Sequence, residues 1–247
     1  MVYPNFKNKH LEESLFLPED YLKCAYKDRK KFPKKWILVL QNSVEKYIKR
    51  KFKLEEDKEN RLAGNFYIHN GIGFLKMDGI GSPYAVTVME ELIGLGGKEF
   101  IIIGTAGGLH NFGIFLCNRA IRDEGTSYHY ISTGKYSYPN DNLSKRFGKS
   151  VEKFGLDFEE GTTWTIDAPY RETKAEVQHY KKEGVKSVEM EASALFAVAQ
   201  VRKVKIAAAF VISDLLGSDA WDPQFDKRHV KTKLYRLIDA SVDCLSY

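Results

Sequence analysis

Short runs of consecutive apolar residues alternate with segments of helical pattern along most of this 247-residue chain. The apolar runs predict strands at 36–40, 64–69, 72–77, 100–103, 114–121, 162–166 and 206–212. The strands 64–69 and 72–77 are predicted to meet at the turn Asn70–Gly71. Other segments predict helices at 43–50, 83–95, 144–154, 173–183, 189–202 and 226–243. Continuous apolar strands are typical of a sheet that helices cover on both faces. The sequence therefore predicts an α/β domain with a largely parallel sheet.

The whole chain, residues 1–247, is predicted to form a single domain. Hydrophobic residues make up 43% of it, which is enough for a sizeable core. No internal repeat or low-complexity linker divides the chain, and the stretch richest in turn formers, Ser132–Ser144, is short enough to be a loop. Residues 1–35 are predicted to be an N-terminal extension that packs on this domain or on a neighbouring subunit.

Composition excludes several classes of protein. No apolar run approaches the roughly 18 residues that a membrane span needs, and the N-terminus lacks the apolar segment of a signal peptide. Cys24, Cys117 and Cys244 are too scattered for a disulfide framework or a zinc site. These features predict a cytoplasmic protein with no membrane partner, no metal and no organic cofactor.

The net charge of +5 is a mild positive excess. Lys and Arg concentrate at 23–35 and 46–53, where aromatic residues do not interleave in a base-stacking pattern. A solvated surface is therefore favoured over RNA or phosphate binding for these runs, and no nucleic-acid partner is predicted. The excess is compatible with an anionic substrate.

A glycine-rich segment follows the predicted strand 100–103, and α/β sheets bind ligands at the carboxyl ends of their strands. In Gly104–Gly108 (GTAGG), backbone N–H groups and the Thr105 hydroxyl could hold an anion. The segment has neither the lysine of a P-loop nor the spacing of a dinucleotide fingerprint. A tight turn without a ligand is the alternative interpretation.

Acidic residues follow at two other positions. Glu189 and Glu191 are predicted to open the helix 189–202, where the helix dipole favours acids. Residues two apart do not share a helix face, so at most one needs to point inward, where it could hold the two hydroxyls of a ribose. Asp214 follows the strand 206–212, and its partial burial would suit a general acid. Ordinary helix capping is the alternative for all three.

Taken in order, five motifs resemble those of the nucleoside phosphorylase family, which includes purine nucleoside phosphorylases, uridine phosphorylases and related nucleosidases. They are Gly79–Pro83 (GIGSP), Gly104–Leu109 (GTAGGL), Arg122–Ser127 (RDEGTS), Val188–Ala192 (VEMEA) and Ile212–Asp214 (ISD). The resemblance runs from about Trp36 to the C-terminus. It implies a single α/β domain around a mixed, partly barrel-like sheet flanked by helices. It also implies phosphorolysis of a nucleoside, which yields a free base and ribose 1-phosphate, with inorganic phosphate as co-substrate.

The resemblance implies roles for residues that would contact the sugar and the phosphate. Glu191 would hold the ribose hydroxyls, and Met190 would pack under the sugar. Glu189 is placed with them in the substrate-binding group. Thr105 and the backbone of Gly104 would contact phosphate.

It implies a second group of residues at the base. Asp214 resembles the acid that protonates N7 of a leaving purine, and either Lys227 or Arg228 could assist that proton transfer. Ala106 and Gly107 would lie along the base, and Tyr170 would place an aromatic ring over it.

The phosphate site departs from the family pattern. The glycine loop and its arginine, expected after the first strand, are replaced by Leu40–Lys46 (LQNSVEK), and Ile102 stands where phosphorylases have another arginine. Phosphate gains much from charge-assisted, bidentate Arg contacts. Arg61, Arg122 and Lys46 are candidate replacements.

The family also implies active sites that a neighbouring subunit completes. We therefore expect a homo-oligomer, between a dimer and a hexamer. His10 could reach the 5′-hydroxyl in a neighbour's site, or it could be an ordinary surface side chain.

Three alternatives remain open. A nucleosidase would use water and needs a carboxylate base near the first strand, and Glu45 is displaced from that position by about one residue. Asp214 favours purines, whereas the segment Arg122–His129 is closer to uridine phosphorylases. The residues with which those enzymes bind uracil are not cleanly matched in Tyr170–Lys174, although Arg171 could contact a base carbonyl. A family member that binds a nucleoside without cleaving it is the third alternative.

Overall fold

The computed structural model describes residues 3–25, 32–54, 64–217 and 221–247. Its helices are α1 Pro18–Ala25, α2 Asn42–Phe52, α3 Ser82–Gly94, α4 Asp141–Lys153, α5 Lys174–Lys182, α6 Ala192–Arg202 and α7 Arg228–Leu245. Its strands are β1 Lys35–Val39, β2 Gly64–His69, β3 Ile72–Met77, β4 Glu99–Gly108, β5 Ile114–Asp123, β6 Tyr136–Ser137, β7 Glu159–Ile166, β8 Ser187–Glu189, β9 Lys205–Leu216 and β10 Trp221–Pro223. Short 3₁₀ helices lie at Lys9–Leu11, Ser127–His129 and Pro169–Arg171.

Five strands close into a barrel. In the order β4, β9, β5, β7 and β8, each strand pairs with the next, and β8 pairs back with β4. The strands β1, β3 and β2 extend the sheet outward from β4, while β6 and β10 add short edges. The mixed, partly barrel-like sheet that the resemblance implied is confirmed.

The expectation of a largely parallel sheet was wrong, because five of the ten strand pairings in the described residues are antiparallel. One of them, β2 with β3, is the hairpin predicted at Asn70–Gly71, whose two residues have φ values of 49° and 78°. Apolar strand composition reports burial on both faces, and it carries no information on strand direction. Of the other four antiparallel pairings, β9 with β10 joins residues five to nine positions apart, and three join residues at least 15 positions apart. None of the four was predicted.

Helices cover both faces of the sheet. On one face α2, α4 and α7 contribute side chains such as Ile48, Phe147 and Leu234 to a single core. On the other face α3 and α6 form a second core around Met89 and Phe196. Because α6 lies between α3 and the barrel, its residues from Ala192 to Ala199 are all buried. In the described part of the chain, no helix has both the length and the apolar character needed to cross a lipid bilayer.

Two strands run further than predicted. The Gly104–Gly108 segment, expected to follow the strand 100–103 as an anion-holding segment or a tight turn, instead continues β4, and Gly107 and Gly108 pair with β8. A Cβ atom on Gly107 would lie 2.6 Å from Leu216 Cδ1, so the glycine permits a close approach between β4 and β9. β9 likewise continues to Leu216, past Asp214.

The described part of the N-terminal extension contacts its own domain. Leu22 of α1 is buried against α3 at Gly94. The two helices pack closely there, because a Cβ atom on Gly94 would lie only 2.7 Å from Leu22 Cδ1. The Tyr3 hydroxyl lies 2.8 Å from His129 Nε2, and Lys9 Nζ lies 2.8 Å from Nδ1 of the same ring.

Replacement of Gly73 by Ala should destabilise the fold. The new Cβ would lie 2.3 Å from Cε3 of Trp36, which is fully buried and donates a hydrogen bond to the Pro33 carbonyl, so the indole cannot yield easily. We expect a loss of about 1–3 kcal/mol in the free energy of unfolding, measured by urea denaturation. Gly113→Ala is the matched control, because its Cβ would meet nothing closer than 3.9 Å. An equal loss in both variants would contradict this account of the packing at Trp36.

Candidate active site

A cleft of about 650 Å³ opens at one end of the barrel. Its walls come from β4, β8, β9 and β10 and from the segments that follow β1, β3 and β7. Eight residues predicted for substrate binding or catalysis line it: Thr105, Ala106, Gly107, Tyr170, Glu189, Met190, Glu191 and Asp214. The topology therefore brings together residues that lie more than a hundred positions apart in sequence.

Glu189 is a buried hydrogen-bond acceptor. Its carboxylate accepts a hydrogen bond from the Thr165 hydroxyl at 2.5 Å, and from the N–H groups of Glu191 and Ala192 at 2.8 and 2.7 Å. The prediction that Glu189 opens a helix was wrong: Glu189 ends β8, and α6 begins at Ala192. Glu189 thus fixes the turn between β8 and α6 and, with it, the position of Glu191.

Glu191 lies at the helix N-cap, where its side chain makes no capping bond to α6. Instead its Oε1 accepts a hydrogen bond from the Gly81 N–H at 2.6 Å. Gly81 has a φ of 92°, a conformation that favours glycine. The Ser82 hydroxyl donates to the Met190 carbonyl at 2.8 Å. The GIGSP motif therefore holds the VEMEA motif in place against the cleft.

The two glutamates perturb each other's ionisation. Burial raises the pKa of Glu189, and the nearby charge of Glu191 raises it further. Burial also raises the pKa of Glu191, while hydrogen bonds from the backbone of Gly81 and Met190 act in the opposite direction. A ligand that donates hydrogen bonds to Glu191 would stabilise its ionised form and so offset part of the cost of burying that charge.

Asp214 faces the cleft from β9, with two neighbours that orient its carboxyl group. The Ser213 hydroxyl donates to Oδ1 at 2.8 Å, and the Trp221 indole N–H donates to Oδ2 at 2.8 Å. Trp221 belongs to β10, where it pairs with Leu216. Sequence reasoning missed Trp221, because nothing in its local sequence indicates that β10 folds back onto the end of β9.

Glu172 was also missed as a site residue. It follows the 3₁₀ helix Pro169–Arg171, and its side chain lines the cleft. Burial, with added repulsion from Asp214, raises the pKa of Glu172 to about 7. A partial signal for Glu172 is present in the sequence, because the capping box Thr173–Glu176 predicts where the next helix starts and so leaves Glu172 in the loop before it.

Four carboxyl groups, those of Glu172, Glu189, Glu191 and Asp214, therefore line one cleft. Among the described residues, no Lys, Arg or His lines it with them. Nor do the described residues contain a group of three or more His, Cys, Asp or Glu side chains arranged to hold a metal ion. The cleft combines acidic groups with apolar walls such as those of Leu40, Val188 and Leu216.

Other predicted residues lie elsewhere. Arg122 is buried in β5, and its guanidinium donates hydrogen bonds to the Ser127 hydroxyl and to the carbonyls of Ile131, Ser132 and Gly134. These bonds hold the loop after β5 and leave the guanidinium outside the cleft. Gly104 precedes Thr105 in β4 but does not itself line the cleft.

The remaining cationic candidates are also outside the cleft. His10 lines a separate groove with Leu15, and Lys227 lines another with Arg236. Lys46 is exposed on α2. Arg61, predicted as a phosphate ligand, lies outside the described residues.

Glu45, considered as the base of a nucleosidase, does not line the cleft either. It accepts a hydrogen bond from the Tyr67 hydroxyl at 2.6 Å and lies 3.1 Å from Lys49 Nζ. Burial alone would raise the pKa of Glu45, but the Tyr67 hydrogen bond and the Lys49 ammonium outweigh it, so that the pKa is lowered. A carboxylate held in this way is a weak base.

The chain matches the phosphorylase superfamily over residues 39–243 and belongs to that family. An uncharacterized protein of Acanthamoeba polyphaga mimivirus is 29% identical over 149 residues, and the match covers 57% of each chain. A purine nucleoside phosphorylase of Plasmodium vivax is 25% identical over 173 residues, which are 67% of this chain and 70% of the relative. The relatives of this chain also include a uridine phosphorylase of Treponema pallidum, 27% identical over 149 residues, which are 54% of this chain and 58% of the relative.

Solved structures share the fold. The purine nucleoside phosphorylase of Toxoplasma gondii is similar with a TM-score of 0.77 and 17% identity, covering 89% of this chain and 94% of that chain. The AMP nucleosidase of Bacteroides thetaiotaomicron is similar with a TM-score of 0.73 and 20% identity, covering 92% and 97%. At these identities the similarity establishes the architecture alone.

Glu172→Gln should change how stability depends on pH. Because the pKa of Glu172 is raised from 4.5 to about 7 in the folded protein, its stabilising contribution is complete below about pH 4.5 and is lost as the pH rises through about 7. The variant lacks this titration and so does not share the loss. Its free energy of unfolding, taken relative to that of the wild type, should therefore increase from pH 5 to pH 8. Urea denaturation at both pH values measures the change. Glu160→Gln, at an exposed site on β7, is the control. If the difference in the free energy of unfolding between the wild type and Glu172→Gln does not change with pH, the raised pKa of Glu172 is refuted.

Proposed function

We propose that this protein is a nucleoside phosphorylase that cleaves the N-glycosidic bond of a purine nucleoside, giving the free base and ribose 1-phosphate. The observation that carries the proposal is that one cleft holds both Glu191, at the N-cap of α6, and Asp214, on β9. Glu191 would bind the sugar and Asp214 would contact the base, so a bound nucleoside would lie between the two carboxyl groups.

At the sugar end, Glu191 would accept hydrogen bonds from the ribose hydroxyls while Met190 packs beside the ring. Cleavage of an N-glycosidic bond builds positive charge on the sugar. The carboxylates of Glu189 and Glu191 are held in place before the reaction, and preorganised charge of this kind stabilises the transition state more than it stabilises the substrate. The contacts of Glu189 with β7 and α6 supply the required rigidity.

At the base end, Asp214 would donate a proton to N7 of the departing purine, oriented by Ser213 and Trp221. Glu172 lines the same cleft and would accept hydrogen bonds from ring or exocyclic N–H groups of the base. An acid for N7 suits a purine, which has such a nitrogen, better than it suits uracil. This favours purine nucleosides over uridine.

Phosphate is proposed as the acceptor because Thr105 presents a hydroxyl on the glycine-rich β4 segment that lines the cleft. The similarity to the purine nucleoside phosphorylase of Plasmodium vivax supports the same reaction. The cation that phosphate requires would come from Arg61 or from a neighbouring copy of the chain. We propose a homo-oligomer on this basis, and the exposed apolar side chains of Phe6, Leu15 and Phe16 offer a surface for it.

Hydrolysis by water is the second candidate, and one observation favours it: four carboxyl groups and no described cation line the cleft. A phosphate dianion would be repelled there, whereas water would not. Against hydrolysis, Glu45 lies outside the cleft and is a weak base.

Release of free base from inosine, guanosine and uridine, each with and without inorganic phosphate, separates these reactions. We expect release that depends on phosphate, with ribose 1-phosphate formed and with the purine nucleosides preferred. Equal release without phosphate would establish a nucleosidase. If nucleosides bind but none is cleaved, the protein is a binding member of the family and the proposal fails.

Asp214→Asn should lower kcat for inosine by about 10²- to 10⁴-fold, the usual contribution of a general acid, with little change in KM. Loss of the proton donor affects bond cleavage, whereas the amide preserves the shape of the carboxyl group. Steady-state kinetics measures both constants. Glu160→Gln, on the exposed side of β7, is the control and should behave as the wild type. Full turnover by Asp214→Asn would remove the general-acid role.

A further inference from the structure

The base end of the cleft combines acidic and aromatic groups. Tyr170 is fully exposed, and Trp221 and Phe225 are 59% and 41% exposed. The rings of Trp221 and Phe225 lie 5.7 Å apart, and all three aromatic residues line the cleft with Glu172 and Asp214. Aromatic faces attract cations through their quadrupole, and carboxylates attract them by charge. Both kinds of group thus favour a positively charged ligand.

The balance of charge in the cleft points in the same direction. When Glu172 and Asp214 are both ionised they repel each other, a neutral base adds no charge to offset this repulsion, and no Lys, Arg or His among the described lining residues does so. The carboxylate of Glu172 also receives no hydrogen bond from another described residue. A cation at the base end would compensate two carboxylates at once.

We propose that the base end binds nucleosides whose base carries a fixed positive charge, such as pyridinium ribosides or N-alkylated purine ribosides, in preference to neutral bases of the same shape. The proposal rests on the proposed function, which assigns this end of the cleft to the base. Glu172 is the specificity-determining residue.

The chemistry of such a substrate is consistent with the cleft. When the C–N bond of a cationic nucleoside breaks, both electrons of the bond go to the ring nitrogen, and the base leaves neutral without a proton from Asp214. The positive charge passes to the sugar, beside Glu189 and Glu191, and the anomeric carbon then bonds to an oxygen of phosphate or water. The positive charge therefore lies beside carboxylates both before cleavage, at the base end, and after it, at the sugar end.

Ionisation of Glu172 gives an independent signature. The charged groups facing Glu172 are Asp214 of β9 and Glu176 of α5, both acidic. A bound cation would favour the ionised form of Glu172, whose pKa of about 7 leaves it partly protonated at neutral pH. Cation binding at pH 7 should therefore release protons, and a neutral ligand should release fewer.

Isothermal titration calorimetry tests the proposal with N-ribosylnicotinamide, a pyridinium cation, and its 1,4-dihydro form, a neutral molecule of nearly the same shape. At pH 8 without phosphate, we expect the wild type to bind the cation at least about tenfold more tightly. In Glu172→Gln this ratio should fall towards one, because only the cation gains from the charge of the carboxylate, whereas Glu160→Gln, at an exposed site on β7, should keep the wild-type ratio. At pH 7, titrations in two buffers of different ionisation enthalpy count the protons released.

Equal affinity of the wild type for both ligands would overturn the proposal, and so would a preference that Glu172→Gln leaves unchanged. Inosine in the same titrations separates this failure from that of the proposed function. If inosine binds and the cation shows no preference, the inference on charge fails alone. If neither riboside nor inosine binds, the assignment of the cleft to nucleosides fails as well.

Discussion

Glu189 accepts hydrogen bonds from the Thr165 hydroxyl and from the N–H groups of Glu191 and Ala192, so a single carboxylate joins β7, the end of β8 and the start of α6. Buried donors left without a partner are costly, and this acceptor satisfies three of them. The position of Glu191 follows from this arrangement, and so does the direction in which α6 leaves the barrel. Much of the cleft depends on these three hydrogen bonds.

Barrel closure depends on positions where side chains are absent. β4 pairs with both β8 and β9, and Gly107 and Gly108 lie where those pairings converge. A Cβ on Gly108 would lie 2.6 Å from Ile212 Cγ2, just as one on Gly107 would meet Leu216. The same glycines let the β4 backbone form one wall of the cleft. A single sequence feature therefore serves both the closure of the barrel and the access of a ligand.

Elements that carry their own signal could be predicted from the sequence. The hairpin at Asn70–Gly71 has matching apolar strands and a turn that requires positive φ, and its strand boundaries were correct. The three-residue strand β8 is too short to show a period, so Glu189 was assigned to a helix. At the cleft, Glu191 and Asp214 were found because they stand in motifs. Glu172 was missed because only tertiary contacts bring it there. Trp221 was missed because no predicted strand included it, although β10 pairs with the nearby end of β9.

The indole of Trp221 also constrains where a proton can reside. An indole N–H donates only, so Oδ2 of Asp214 must remain an acceptor while that bond lasts. A proton on Asp214 then belongs on Oδ1, where the Ser213 hydroxyl now donates. Ser213 would have to reverse its role and turn its own hydrogen towards the Ala106 carbonyl, 3.5 Å away. Protonation of Asp214 is thereby coupled to rotation of one hydroxyl group, with no movement of the backbone.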